Sequence, residues 1–193
     1  MISIVGLALE IKYGGYFIDS FPLSYLSATD IFLCADSLHL EFELANLSKA
    51  LEKVNEEVVL TFYGALASGD VNTVQGLLAS DDLEWSFYGP PDDQYLMRFL
   101  TGVAPHDRFL FKPVRVRAIG DNVFAEGQGG VSNNSKISKC WIHVWTVKGG
   151  KIVQLREYFN TELTVVSPVH DSLWKSQLGK CCRKSCPSLI LAV

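Results

Sequence analysis

Residues 139–161, KCWIHVWTVKGGKIVQLREYFNT, constrain the fold more than any other stretch. Two runs rich in β-branched and aromatic residues flank Gly149-Gly150, and a two-residue hairpin turn needs the positive φ that glycine adopts without steric cost. A regular hairpin closed there sets Lys148 opposite Lys151. It then predicts Trp145 opposite Gln154, His143 opposite Arg156 and Trp141 opposite Tyr158. Side chains alternate with period two, so these six share one face, with Asn160 just beyond. Cys140, Ile142, Val144, Thr146, Val153, Leu155, Glu157 and Phe159 take the reverse. The first face mixes aromatics with imidazole, guanidinium and phenol, as a pocket wall does; the second is mostly hydrocarbon and must be covered.

At 193 residues, with 48% hydrophobic and 20% charged residues, the chain suits one soluble domain with extensions. A formal net charge of -4, without a basic stripe, argues against nucleic-acid binding. No stretch reaches the roughly 20 apolar residues that span a bilayer. The opening MISIVGLALE lacks the basic start of a secretory leader and is followed by Lys12. Five cysteines at no disulfide or zinc spacing read as thiols in a reducing compartment, the cytoplasm or also the nucleus. No metal or cofactor is expected. Cys181, Cys182 and Cys186 sit beside Lys and Arg, where palmitoylation or an incomplete metal site competes with surface thiols.

Residues 1–44 show no sustained helical period and read as an N-terminal extension, either poorly packed or docked on the sheet's hydrocarbon face. Over 47–67, Leu51, Val54, Val58, Phe62 and Ala65 recur at helical steps, with Glu52, Lys53, Asn55 and Glu56 opposite. Gly69 closes that helix, and Asp70 is placed to cap a second over 71–78. Residues 81–89 alternate as a strand with Leu83, Trp85 and Phe87 on one face, ended by Pro90-Pro91. Asp92 or Asp93 can cap a short helix over 94–101, stopped by Gly102. Two strands follow, 108–119 with Pro113 marking an edge or a bulge, and 121–128; then comes the hairpin. The expected architecture is α+β, a curved antiparallel sheet wrapped on N-terminal helices, over 45–166, with a tail at 167–193 packing on it.

The helix VVLTFYGALASGDVNTVQGLLA, the strand DLEWSFYGPP, the FLTG turn, VFAEGQG, the hairpin ending REYFNT and the tail SCPSLILAV together resemble the plant wound-induced protein 1 family. That family belongs to the SnoaL-like branch of the NTF2-like (nuclear transport factor 2-like) superfamily, and the resemblance covers about residues 47–193. It implies a cone-shaped fold with an inner cavity, homodimerisation through the outer sheet face, and a link to wounding, senescence or stress. It also implies that the Trp141 face of the hairpin looks inward. In similar enzymes an aspartate follows the Tyr-Phe pair; here that position is Asn160, which orients a ligand but takes no proton.

Three residues are candidates for acid-base work. His143 could act as a base beside Arg156, or be a core histidine bonded to a neighbour. Arg156 could clamp a planar acid or pair with Glu126, and Glu126 is the best base if it points inward. Tyr63, Trp85, Phe87 and Met97 join Trp141, His143, Trp145, Arg156, Tyr158 and Asn160 as pocket candidates, with core packing the plainer role of each aromatic. Ile142, Val144, Val153, Leu155 and Phe159 form the candidate dimer interface, with Glu157 among them seeking a Lys or Arg. The reading is a stress-responsive protein holding a small apolar or amphipathic molecule, without catalysis. An acid-base isomerase, dehydratase or hydrolase and a dimeric interaction scaffold are the alternatives.

Overall fold

The computed structural model describes residues 28–80, 83–103, 109–131, 139–168, 172–177 and 188–193. It divides into two units, Met1–Leu47 and Ser48–Val193. Helix α1 (Ala28–Ser68) begins in the first unit, well before residue 47 where the apolar period predicts its start. No glycine or proline occurs from residue 28 to residue 63, and the many Ala, Leu and Glu residues favour helix on propensity alone. Periodicity misses this part because side chains 39–47 are all exposed, so no apolar stripe marks it.

In the second unit Gly69, at φ 75°, ends α1. Asp70 caps α2 (Val71–Leu77) by accepting from the Thr73 N–H at 3.1 Å. Strands β1 (Glu84–Tyr88), β2 (Phe109–Ile119), β3 (Asn122–Val131), β4 (Lys139–Lys148) and β5 (Lys151–Phe159) form one sheet in the order β1-β5-β4-β3-β2. The class is the expected α+β. The sheet is mixed, however, because β1 runs parallel to β5 while the other pairings are antiparallel. Pro113 marks a bulge as predicted, the β2–β3 register shifting between it and Arg115. Between β1 and β2, α3 (Tyr95–Thr101) stops at Gly102, φ 70°. Neither aspartate caps it: Gln94 holds that position without a side-chain bond, and Asp93 is buried in an ion pair with Lys139.

The buried side of α1 agrees with the predicted one at Val58, Phe62 and Ala65 but not in the preceding turns. Leu51 and Val54 are exposed, while Asn55, Val59, Phe62, Tyr63 and Leu66 are buried. The polar side chains assigned to solvent decide this. Glu52 and Glu56 accept from the N–H groups of Gly120 and Ala118, each at 2.9 Å, and the Asn55 amide donates to the Gly120 carbonyl at 3.1 Å. They satisfy backbone groups at the end of β2, an end strand of the sheet, and in the turn that follows it.

The hairpin turn is where the sequence places it, with Gly149 and Gly150 at φ 56° and 74° and Lys148 opposite Lys151. Its register is not the predicted one. Val147 pairs with Ile152 but Thr146 pairs with Gln154, so Val153 is the extra residue of a bulge. From there Trp145 faces Leu155, Val144 faces Arg156, His143 faces Glu157, Ile142 faces Tyr158 and Trp141 faces Phe159. A one-residue slip exchanges the two faces of a strand. It allows Ile152, Leu155 and Phe159 to be buried together and keeps the Arg156 charge out of the core, where an unpaired guanidinium costs several kcal/mol.

After β5, β6 (Glu162–Val166), β7 (Trp174–Lys175) and β8 (Ser188–Ala192) make a small second sheet, β7-β6-β8. Its Leu163, Val165 and Trp174 bury Phe124, Ile142 and Val144, with Leu189 and Leu191 packed alongside. Strand β6, with β7 and β8 of the tail, therefore covers the hydrocarbon patch of β3 and β4. Cys181, Cys182 and Cys186 lie outside the described residues.

Candidate functional site

Between α1 and the inner face of the sheet lies a group of fully buried side chains that carry polar atoms. Helix α1 supplies Tyr63, alternate positions of β4 supply Trp141, His143 and Trp145, and the bulge turns Glu157 of β5 to meet them. The Tyr63 hydroxyl lies 2.7 Å from His143 Nδ1, His143 Nε2 lies 3.0 Å from Glu157 Oε1, and Trp145 Nε1 donates to the Tyr63 oxygen at 3.1 Å.

These contacts have a direction. Trp145 can only donate, so the Tyr63 oxygen accepts from it and the Tyr63 proton is satisfied by pointing at His143 Nδ1. Nδ1 is then an acceptor, the ring proton sits on Nε2, and Nε2 donates to Glu157 Oε1. This is the arrangement in which every proton of the chain has an acceptor. Burial pushes the Tyr63 phenol well above its usual range, assisted by the nearby Glu157 charge and opposed by the Trp145 bond, so Tyr63 keeps its proton.

The chain stops short of satisfying its last member. Among the described residues, two buried side-chain polar atoms have no hydrogen-bond partner, and both are here: Glu157 Oε2 and Trp141 Nε1. Trp141 and His143 have ring centroids 4.6 Å apart, and Phe111 of β2 closes over both at 5.4 and 5.1 Å. The Trp141 indole lies on Gly127, its partner across β3, where a Cβ would stand 2.3 Å from Cζ2.

Trp141, His143, Trp145 and Tyr63 thus come together on the inner side, the side that the family resemblance implied for the hairpin residues, touching one another at its centre. Trp85 and Phe87 are half-buried against the same core, and Met97 is half-buried on α3. Arg156 and Tyr158 do not join them. They lie on the outer face, Arg156 donating to Gln154 at 2.9 Å and Tyr158 stacked on Tyr88 at 4.7 Å. Asn160 lies past the end of β5 at φ 53°, its N–H donating to the Cys140 carbonyl.

Glu126 also faces outward, where the Trp174 indole and the Ser176 hydroxyl donate to its carboxylate beneath the tail. It is therefore remote from His143 chemistry, because β3 keeps its alternation through Gly127 against β4. Of the five interface candidates, Leu155 and Phe159 are interior, Val153 is the bulge residue, and Ile142 and Val144 lie beneath the tail. Glu157, assigned outward to a Lys or Arg, instead meets His143. The missed signal was the three-residue step from Ile152 to Leu155, which breaks a strict two-residue alternation.

Among the described residues no group of three or more His, Cys, Asp or Glu could hold a metal ion, and no helix is long and apolar enough to cross a membrane. Residues 97–193 match the family described as Wound-induced protein WI12. Senescence associated gene 20 of Arabidopsis thaliana is 39% identical over 115 residues, covering 50% of this chain and 100% of that protein. Wound-induced protein 1 of Solanum tuberosum is 38% identical over 112 residues, with the same coverage of each. Similar solved structures include an LEH-like epoxide hydrolase of M. tuberculosis, at 23% identity and TM-score 0.46 over 56% of this chain and 84% of that one. Another is an NTF2-like protein of unknown function from Burkholderia pseudomallei, at 21% identity and TM-score 0.45 over 55% of this chain and 90% of that one. On the match across residues 97–193 and the two plant relatives, the chain belongs to the wound-induced protein WI12 family.

Proposed function

We propose that this protein works in a plant wound, senescence or stress response by holding a small apolar or amphipathic molecule between α1 and the sheet, without turning it over. The names of its two plant relatives support the first part. The second rests on one observation: a buried carboxylate oxygen and a buried indole N–H stand unpartnered in an otherwise aromatic interior. Buried polar groups are paired in the great majority of cases, and two exceptions in one place suit a ligand's polar group. The compartment in this reading is the cytoplasm or nucleus. The assembly is a homodimer, with the outer strip of Tyr88, Tyr158 and Arg156 as its contact.

Native mass spectrometry of freshly purified protein reads bound mass and subunit number together. The expected result is a dimer carrying a small molecule, with a screen of apolar compounds giving thermal stabilisation. A ligand at about 100 times its dissociation constant adds roughly 2.7 kcal/mol. An unliganded protein that no compound class stabilises would contradict the proposal.

The acid-base alternative has one observation in its favour, the ordered run Tyr63, His143, Glu157 with a carboxyl group at its end. Glu157 would be its base, in place of Glu126. Turnover of a bound compound that Glu157→Gln abolishes while binding persists would select that reading.

A further inference from the structure

Resting on the homodimer of that reading, we propose that its two copies join along the free edge of β8, strand to strand and antiparallel, with the two-fold axis at Ile190. The small sheet runs β7-β6-β8, so β8 is paired by β6 on one side and by no described strand on the other. Edge strands are ordinarily guarded by charge, proline or a bulge. Residues 188–193, SLILAV, carry neither charge nor proline, and the register of β8 with β6 is unbroken. Ile190 stands 68% exposed on the outward side.

What lies beside that edge narrows the partner. The Trp174 indole of β7 donates to Glu126 of β3, and Arg115 of β2 lies 5.0 Å over its ring, so β7 rides above β2 and β3. With β6 in the middle, β8 falls on the side of β5, whose Tyr158 packs against the same cluster as Leu189 and Leu191. The small sheet therefore covers the large one only part of the way across. The outer strip of Tyr88, Tyr158 and Arg156, on β1 and β5, continues from the β8 edge. A strand added to β8 extends the covering layer by about 4.8 Å, over that strip. A second copy of this chain brings such a strand, and brings no like charge against the first.

The backbone sets the register. The Val193 N–H donates to the Val166 carbonyl at 2.9 Å, so by alternation Leu189 and Leu191 also turn their N–H and C=O groups to β6. Ser188, Ile190 and Ala192 turn theirs to the free edge. An axis at Ile190 sets it opposite its own counterpart and Ser188 opposite Ala192, which engages every outward group. Moving the axis by one residue leaves an end residue of each copy bare.

The test uses the full chain as wild type, Ile190→Lys, Ile190→Glu, and an equimolar mixture of those two variants with one 15N-labelled, so that native mass spectrometry separates the pairs. Ile190 is exposed, so neither substitution disturbs the fold, which circular dichroism verifies. Like charges directly opposite are destabilising, and opposite charges are favourable. Each variant alone should dimerise roughly ten-fold more weakly than wild type, and the mixture should favour the Lys–Glu pair over either like pair. Variants that dimerise as wild type does would overturn the edge pairing; if Tyr158→Glu then breaks the dimer, the outer strip alone stands as its contact. Weakening in both variants without rescue in the mixture would overturn the axis at Ile190. A wild-type chain that stays monomeric would overturn the edge pairing and the homodimer together.

Discussion

Replacing His143 by alanine is expected to destabilise the fold by roughly 3 kcal/mol or more, because a buried polar group left without its partner costs about 1–3 kcal/mol and two are left here. The imidazole supplies Glu157 Oε1 with its donor and the Tyr63 proton with its acceptor, at 3.0 and 2.7 Å. Oε2 has no partner already, so without His143 the carboxylate is buried with no donor at either oxygen. A Leu at both 143 and 157 should recover much of the loss, because two apolar side chains leave no charge behind. Urea unfolding midpoints of wild type, His143→Ala and the double variant measure this. A loss in the single variant no larger than about 1 kcal/mol, the net worth of an ordinary hydrogen bond, would mean that the carboxylate is not committed to the imidazole.

Gly127→Ala should cost about 3 kcal/mol or abolish folding, at or beyond the upper end of ordinary overpacking. A Cβ there would stand 2.3 Å from the Lys112 carbonyl oxygen and 2.3 Å from Trp141 Cζ2. Neither neighbour can yield easily. The carbonyl belongs to β2 backbone just before the Pro113 bulge, and the indole is fully buried against Phe111 and Tyr63. Gly64 is the internal control. It lies within α1 with nothing within 4 Å of an added Cβ, so Gly64→Ala should stabilise by roughly 0.5–1 kcal/mol through helix propensity. Thermal unfolding of the two variants side by side distinguishes a packing constraint at Gly127 from a general intolerance of alanine.

Much of this fold could be read directly. The Gly149-Gly150 turn, the Asp70 cap, the alternation of β1, the Pro113 bulge and the stop at Gly102 are local matters, set by φ preferences and by proline's missing donor. That Trp141, His143 and Trp145 share one face was equally legible, since β4 is regular between its neighbours; that this face looks inward was what the family resemblance implied. The rest required knowledge of what packs on what. A strict alternation from the turn carries Arg156 and Tyr158 inward, and the bulge at Val153 reverses this at little local cost because it buries Ile152 and Leu155 together. Glu157 was consequently placed on the wrong face and His143 given the wrong neighbour. On α1, Glu52, Asn55 and Glu56 looked like a solvated face until the β2 backbone that needs them was in view. Strands β6, β7 and β8 are short, and their pairing depends on the patch of Phe124, Ile142 and Val144 beneath them.

The central claim is that the bulge turns Glu157 inward to hold the proton of His143 on Nε2 while Tyr63 occupies Nδ1. A long-range 1H–15N spectrum of the imidazole at neutral pH tests it most directly. The account predicts a protonated Nε2 and a bare, hydrogen-bonded Nδ1, with the Nε2 proton showing contacts to Glu157 and slow exchange with water. A His143 ring protonated on Nδ1, or exchanging freely with solvent, would contradict it.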